Sequence, residues 1–252
     1  MPHPYESGAG TGSVLRGGPN AHFKRELDEL IDRQLLPCEP PAAEGHPMDI
    51  VELDRIAVRE SLRIVSAARA ADWDRPTPCR EWTLRGLVSH MAGQHRGFAA
   101  AARGERADLE VWQDAALGAS PGEVYRASAQ DALDAFGEPG LLQREFWLPE
   151  IRPTGSFPAG TAVGFHFIDY VVHSWDAAAA LGRTVDFPEN VLEAALRVAA
   201  QVPDGESRQT PGTAFAPSLP VAADAPLLDR TLALLGRDPG WAPARRPAEQ
   251  RR

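Results

Sequence analysis

The chain has 252 residues with 26 basic and 35 acidic side chains, a formal net charge of −9. With 43% hydrophobic and 24% charged residues it has the make-up of one or two ordinary globular domains, which excludes collagen-like, mucin-like and wholly disordered chains. An acidic balance without a basic block argues against nucleic acid as a partner, and no apolar run of about 18 residues is present to span a membrane. The N-terminus lacks a basic stretch followed by an apolar one, so no secretory signal is visible. Cys38 and Cys79 are too few for a disulfide framework or a CxxC zinc site. A reduced, cytoplasmic protein is expected. Lys24 is the only lysine, a bias that speaks of coding composition rather than of chemistry.

In chain order, residues 1–47 come first as an extension that is largely disordered or linker. MPHPYESGAGTGSVLRGGPN has no periodicity, Ala21 to Leu36 is weakly amphipathic, and CEPPAAEGHP reads as a linker. A first helix is predicted from Asp49 to about Ala71, with Val51, Val58, Leu62 and Val65 on one stripe. Two prolines in DWDRPTPCREW interrupt the pattern. Thr83 then caps a second helix whose Leu84, Leu87, Val88 and Met91 fit the i, i+3, i+4, i+7 template.

Ser120-Pro121-Gly122-Glu123 has capping-box spacing with proline at the first helical position, and the third helix stops at Gly137. LLQREFWLPEIRPTGSFPAG reads as a connection with some extended structure. A fourth helix is predicted from about Ala162 to Ala180, ended by Gly182. Asp186-Phe187-Pro188-Glu189 and Asp224 look like the starts of two further helices, the last terminated by Gly236 and Pro239. The expected fold is mainly α: four long helices with a long connection before the fourth, in an up-down bundle variant. The expected division is 1–47 extension, 48–183 metal-binding helical bundle, 184–241 C-terminal helical segment on the bundle, and 242–252 disordered tail.

The fourth helix carries the chemistry. In GFHFIDYVVHSWDAAAALG, His166, Asp169, His173 and Asp176 follow one another at spacings of 3, 4 and 3, so all lie on one face. A solvent-facing polar stripe is the plain explanation of such a pattern. A buried metal is the other, because unpaired titratable groups are costly to bury. Asp169 and His173 are one turn apart, so a carboxylate oxygen and an imidazole nitrogen can reach one zinc, nickel, iron or manganese ion. A third ligand must then come from a facing helix, where the second helix offers His90 and His95. The helical wheel leans slightly toward His95, which sits within the apolar stripe, whereas His90 flanks it by roughly 60°.

TPCREWTLRGLVSHMAG, FHFIDYVVHSWDAAAALGR and LLGRDPGW together resemble one family. It is the actinobacterial metal-binding family related to mycothiol-dependent maleylpyruvate isomerase, within the DinB/YfiT-like superfamily. The resemblance spans roughly Met48 to Trp241. It implies a DinB-like four-helix bundle with a small C-terminal helical extension, holding one divalent metal, zinc first among the candidates. It also implies the ligands His90, Asp169 and His173, choosing His90 against the lean of the wheel. Relatives usually carry Glu at the position of Asp169. His166 is left as a second group beside the metal or in the pocket, and Arg237 as the candidate to hold anionic substrate or cofactor groups.

Three functions follow from the resemblance. The first is a metal-dependent enzyme that activates a thiol, mycothiol in the relatives, for isomerisation or thiol transfer on a small electrophile. The second is a diverged isomerase, cyclase or lyase without mycothiol, and the third is a non-catalytic metal-binding module. The expected partner is a small-molecule substrate, with the protein acting as a monomer or homodimer. Cys79, in the turn before the second helix, reads better as a small buried hydrophobe than as a catalytic thiol.

Overall fold

A computed structural model describes residues 49–79, 82–151, 154–209 and 215–243. The readings for the extension at 1–47 and for the end of the tail lie outside those residues. Helix α1 spans Ile50–Val65, α2 Leu84–Ala102, α3 Pro121–Phe136 and α4 Ala159–Leu181, followed by α5 at Glu189–Ala199 and α6 at Leu227–Leu234. No described helix is long and apolar enough to cross a membrane.

Local chemistry explains most of these boundaries. The Asp49 carboxylate accepts the Val51 N–H at 3.2 Å, and the Thr83 hydroxyl accepts the Gly86 N–H at 3.3 Å, each satisfying one of the amides that a helix start leaves unpaired. Gly182 ends α4 in the left-handed region at φ 65, a conformation that costs glycine little. Three expected caps do not form. Ser120 makes no side-chain cap, and Pro121 sets the first turn of α3 instead. Proline also precedes α5 and α6, at Pro188 and Pro226, and neither Asp186 nor Asp224 caps them. The Asp186 N–H instead donates to Glu60 Oε1 at 2.6 Å, tying the start of the C-terminal segment to α1.

The buried faces follow the predicted periodicity with one rotation. Leu84, Leu87, Val88 and Met91 are wholly buried, as their spacing requires. On α1 the core face is instead Leu53, Ala57, Val58, Ile64 and Val65, with Val51 and Leu62 at its margin. The short antiparallel pair of β1 (Glu145–Phe146) and β2 (Phe157–Pro158) buries Phe146 and Phe157 against one end of the bundle.

Side-chain partners fix the direction of each helix. Asp54 meets His166 and Arg63 reaches the Thr184 carbonyl, so α1 and α4 run parallel. His90 lies against His173 and His95 against His166, so α2 and α4 are antiparallel. His95 packs on Tyr125 and Arg103 pairs with Asp131, so α2 and α3 are parallel. The order is therefore up-down-down-up. The connection that sets this topology precedes the third helix, whereas the sequence suggests one before the fourth. Residues 103–120 must travel back along α2, a distance of roughly 28 Å for 19 residues at 1.5 Å each.

The return segment lies directly on α2. The Ala115 N–H donates to the Ser89 carbonyl at 2.9 Å. A Cβ added at Gly93 would sit 2.4 Å from the Gln113 carbonyl oxygen, and one at Gly97 would sit 2.3 Å from the Trp112 ring. Both glycines are there for close approach. Gly97→Ala should therefore destabilise the fold by about 1–3 kcal/mol through overpacking. Gly122→Ala, where an added Cβ meets nothing within 4 Å, should be neutral or stabilising by about 0.5–1 kcal/mol. Urea titration of both variants checks this, and an unaltered midpoint for Gly97→Ala would contradict the packing described.

Candidate metal centre

Helix α4 buries its polar stripe. His166 and Asp176 are wholly buried and His173 is 3% exposed, while Asp169 keeps a side-chain exposure of 25%. The solvent-facing explanation of the stripe therefore fails. The antiparallel packing of α2 on α4 brings His90 to Asp169 and His173, and one donor atom from each lies within 4.8 Å of the others.

His173 organises this cluster. Its Nε2 faces Asp169 Oδ1 at 3.2 Å, and its Nδ1 donates to Asp176 Oδ2 at 3.0 Å. Trp82 stacks on the His90 ring with centroids 4.5 Å apart, and Asp114 lies 3.5 Å from His90 Nδ1. Burial pulls the His173 imidazole down, but the Asp169 and Asp176 carboxylates outweigh it and raise its pKa to about 9. Burial raises Asp169, and His173, then His90 and His166, more than offset it and hold the carboxyl at about 2. Burial also works against ionised Asp176, where Arg237 and then His173 prevail and keep it below the usual carboxylate range.

Arg237 is 5% exposed. Its Nε donates to Asp176 Oδ1 at 3.3 Å and its Nη2 to Cys79 Sγ at 2.9 Å. The guanidinium proposed from the sequence as an anion holder is thus spent inside the protein. Cys79 is half-buried and in polar contact rather than packed as a simple hydrophobe. Burial, then the Asp176 charge, push its thiol well above the ordinary range.

His95 and His166 form a separate layer. His166 Nδ1 donates to Asp54 Oδ1 at 2.6 Å, and its Nε2 faces His95 Nδ1 at 3.2 Å. The His95 ring stacks on Tyr170 at 4.1 Å and lies 5.5 Å from Tyr125, whose hydroxyl meets Ser61 Oγ at 2.6 Å. Burial, reinforced by His166, drives His95 well below its usual pKa, so it stays neutral. Sequence reasoning missed Asp54, Tyr125, Asp114 and the position of Trp82. Asp54 left a trace, since it shares the i, i+4, i+7, i+11 stripe with Val58, Ser61 and Val65.

A chelated, metal-free sample makes the electrostatics testable. Folding raises the His173 pKa from 6.5 to about 9, so its contribution is complete below 6.5 and is lost as pH rises through 9. Asp169, lowered from 3.8 to about 2, contributes above 3.8 and loses that contribution as pH falls through 2. These two groups alone give a plateau between about pH 4 and 6.5 and a decline toward pH 9 on the order of a few kcal/mol. His95, buried and neutral, makes stability fall as pH drops below 6.5. His173→Gln should flatten the alkaline limb in urea titrations. Stability that rises from pH 6.5 to 9 would contradict the assignment.

Comparison with known proteins adds to this geometry. Residues 55–178 match the family described as the mycothiol maleylpyruvate isomerase N-terminal domain. The uncharacterized proteins Rv0738 and MT0763 of Mycobacterium tuberculosis are each 31% identical to the chain over 177 residues, 69% of this chain and 90% of either relative. Crystal structures of the mycothiol-dependent maleylpyruvate isomerase and of a His-to-Ala mutant of it share the fold. Each aligns with a TM-score of 0.50 over 73% of this chain and 87% of theirs, at 17% and 16% identity.

Proposed function

The chain belongs to the mycothiol maleylpyruvate isomerase N-terminal domain family, and from that premise we propose that it is a metal-dependent, thiol-using enzyme acting on a small electrophile. The observation that carries this reading is the cluster of His90, Asp169 and His173, whose donor atoms converge within 4.8 Å. Two imidazoles and one carboxylate are donors that suit zinc and leave a coordination position open. His173 fits the role, because its Nδ1 is held by Asp176, which directs Nε2 toward the cluster as outer carboxylates do for ligating histidines.

When bound, a divalent ion would lower the pKa of a thiol placed at its open side, so that the thiolate forms near neutral pH. The protein supplies the rest. Asp169, the most exposed of the three ligands, marks the open side of the cluster. Trp82 covers one face of His90 and keeps water from it. Arg237 neutralises Asp176, and Asp176 in turn fixes the orientation of His173. Buried as it is, Arg237 acts through Asp176 rather than by touching substrate. His166 belongs to the neighbouring Asp54–His166–His95 layer. The proposed reaction is isomerisation or thiol transfer in the cytoplasm, with mycothiol as the thiol.

Elemental analysis with a thiol-dependence assay tests the proposal. Purified protein should carry about one divalent ion per chain, and His173→Ala should lose nearly all of it. His95→Phe, which keeps a ring against Tyr170, should retain the metal. Turnover of an unsaturated diacid or conjugated ketone should require added thiol and should disappear in His173→Ala. Full metal content in His173→Ala would discard the centre. Turnover indifferent to thiol would favour a diverged isomerase or lyase, and bound metal with no turnover at all a binding module.

A further inference from the structure

His173 is shared by a second group of donors. Cys79, Asp176 and His173 also bring one ligand atom each within 4.8 Å of the others. Cys79 Sγ lies 3.6 Å from Asp176 Oδ2, and His173 Nδ1 lies 3.0 Å from the same oxygen. Sulfur, carboxylate oxygen and imidazole nitrogen at such separations are donors that zinc or cobalt accepts. His173 therefore stands between two three-donor sets, with Nε2 toward one and Nδ1 toward the other.

A cation already occupies the second set. Arg237 Nη2 is 2.9 Å from Cys79 Sγ and 3.3 Å from Asp176 Oδ2, and Nε is 3.3 Å from Asp176 Oδ1. Its single positive charge balances the single carboxylate, so nothing there calls for a thiolate. The side chain is braced from behind. Gly236, at φ 72, turns the chain against the Ala216 carbonyl, the Arg237 N–H donates to the Leu232 carbonyl at 2.8 Å, and Nη1 donates to the Leu235 carbonyl at 3.3 Å. Phe215 flanks the guanidinium with its ring centre 5.9 Å from Cζ.

We propose that Arg237 is the resident cation of this second donor set and keeps a second metal ion out of it. The centre is thereby held to one ion per chain, and His173 to ligation through one nitrogen. The inference rests on the reading that His90, Asp169 and His173 bind a metal. With the guanidinium gone, a second divalent ion would take the Cys79 sulfur, an Asp176 oxygen and His173 Nδ1. The thiol proton and the Nδ1 proton would pass to solvent, leaving His173 as an imidazolate bridge between two ions.

Cobalt(II) titration of the chelated full-length chain tests this, read by elemental analysis and by the near-ultraviolet absorption of a cobalt–thiolate bond. Wild type should take one ion without a thiolate band. Arg237→Met should take two ions and show the band, and Cys79→Ser added to Arg237→Met should restore one ion and abolish it. A single ion without a band in a folded Arg237→Met would overturn the proposal. Should Arg237→Met fail to fold by circular dichroism, wild type and Arg237→Lys carry the test. Both should take one ion without a band, and a thiolate band in wild type that Cys79→Ser removes would overturn it. Wild type taking no cobalt would overturn the metal reading and this inference together, whereas one ion in both wild type and a folded Arg237→Met strikes this inference alone.

Discussion

The structure turns on one imidazole held between a buried carboxylate, Asp176, and a partly exposed one, Asp169. His173 faces Asp169 through Nε2 and Asp176 through Nδ1, and burial works against the ionised form of each acid. Asp169 is sustained by His173, with His90 and His166 behind it, and Asp176 by Arg237 and His173. In the metal-free protein an imidazolium and a guanidinium thus offset two carboxylates. Removing a member at either end would strand a buried charge, which is worse than never having had the pair. The same chain of contacts joins three parts of the fold, since Arg237 follows α6, Asp176 lies on α4, and His90 belongs to α2.

The up-down-down-up course is what allows those contacts. A strictly alternating bundle needs only short turns, but it sets neighbouring helices in a different order. Here residues 103–120 return along α2, so α3 runs parallel to it and α4 docks antiparallel on α2 and parallel on α1. That arrangement divides the interior into two polar layers on one face of α4. His166 turns to Asp54 on α1 and His95 on α2, while Asp169 and His173 turn to His90. The two histidines of α2 therefore serve different layers. Placing them needs the three-dimensional course of the chain.

Much of this was legible in the sequence, and the failures have physical causes. Helix periodicity identified α2 and its buried Leu84, Leu87, Val88 and Met91, because spacing alone decides which side chains share a face. Spacing also put His166, Asp169, His173 and Asp176 on one stripe. The wheel leans toward His95 because it registers burial in the apolar stripe, which is what a core histidine wants and a ligand need not have. The caps expected at Ser120, Asp186 and Asp224 failed where a proline already fixed the first turn. The return segment left no periodic signal, and its one mark was the Gly93 and Gly97 pair beneath Gln113 and Trp112. Arg237 was visible as an arginine near the C-terminus, but only the fold shows that it is used up on Asp176.

The distance in sequence between Cys79 and Arg237, 158 positions, has a meaning for synthesis. Asp54 waits for His166, 112 positions later, and Asp176 waits for the arginine beyond α6. A ribosome-bound chain that has made α1 to α3 thus exposes Asp54 and Cys79 without His166 and Arg237, with polar atoms destined for the interior still solvated by water. The Asp54–His166–His95 layer can close once α4 has emerged, whereas the layer around Asp176 waits for Arg237, in the last fifth of the sequence. Pairing over such sequence distances delays the final docking and makes folding report on completeness. A product truncated before Arg237 would carry His90, Asp169 and His173 yet leave Asp176 without its guanidinium, and cellular proteolysis would distinguish it from the finished chain by its looser core.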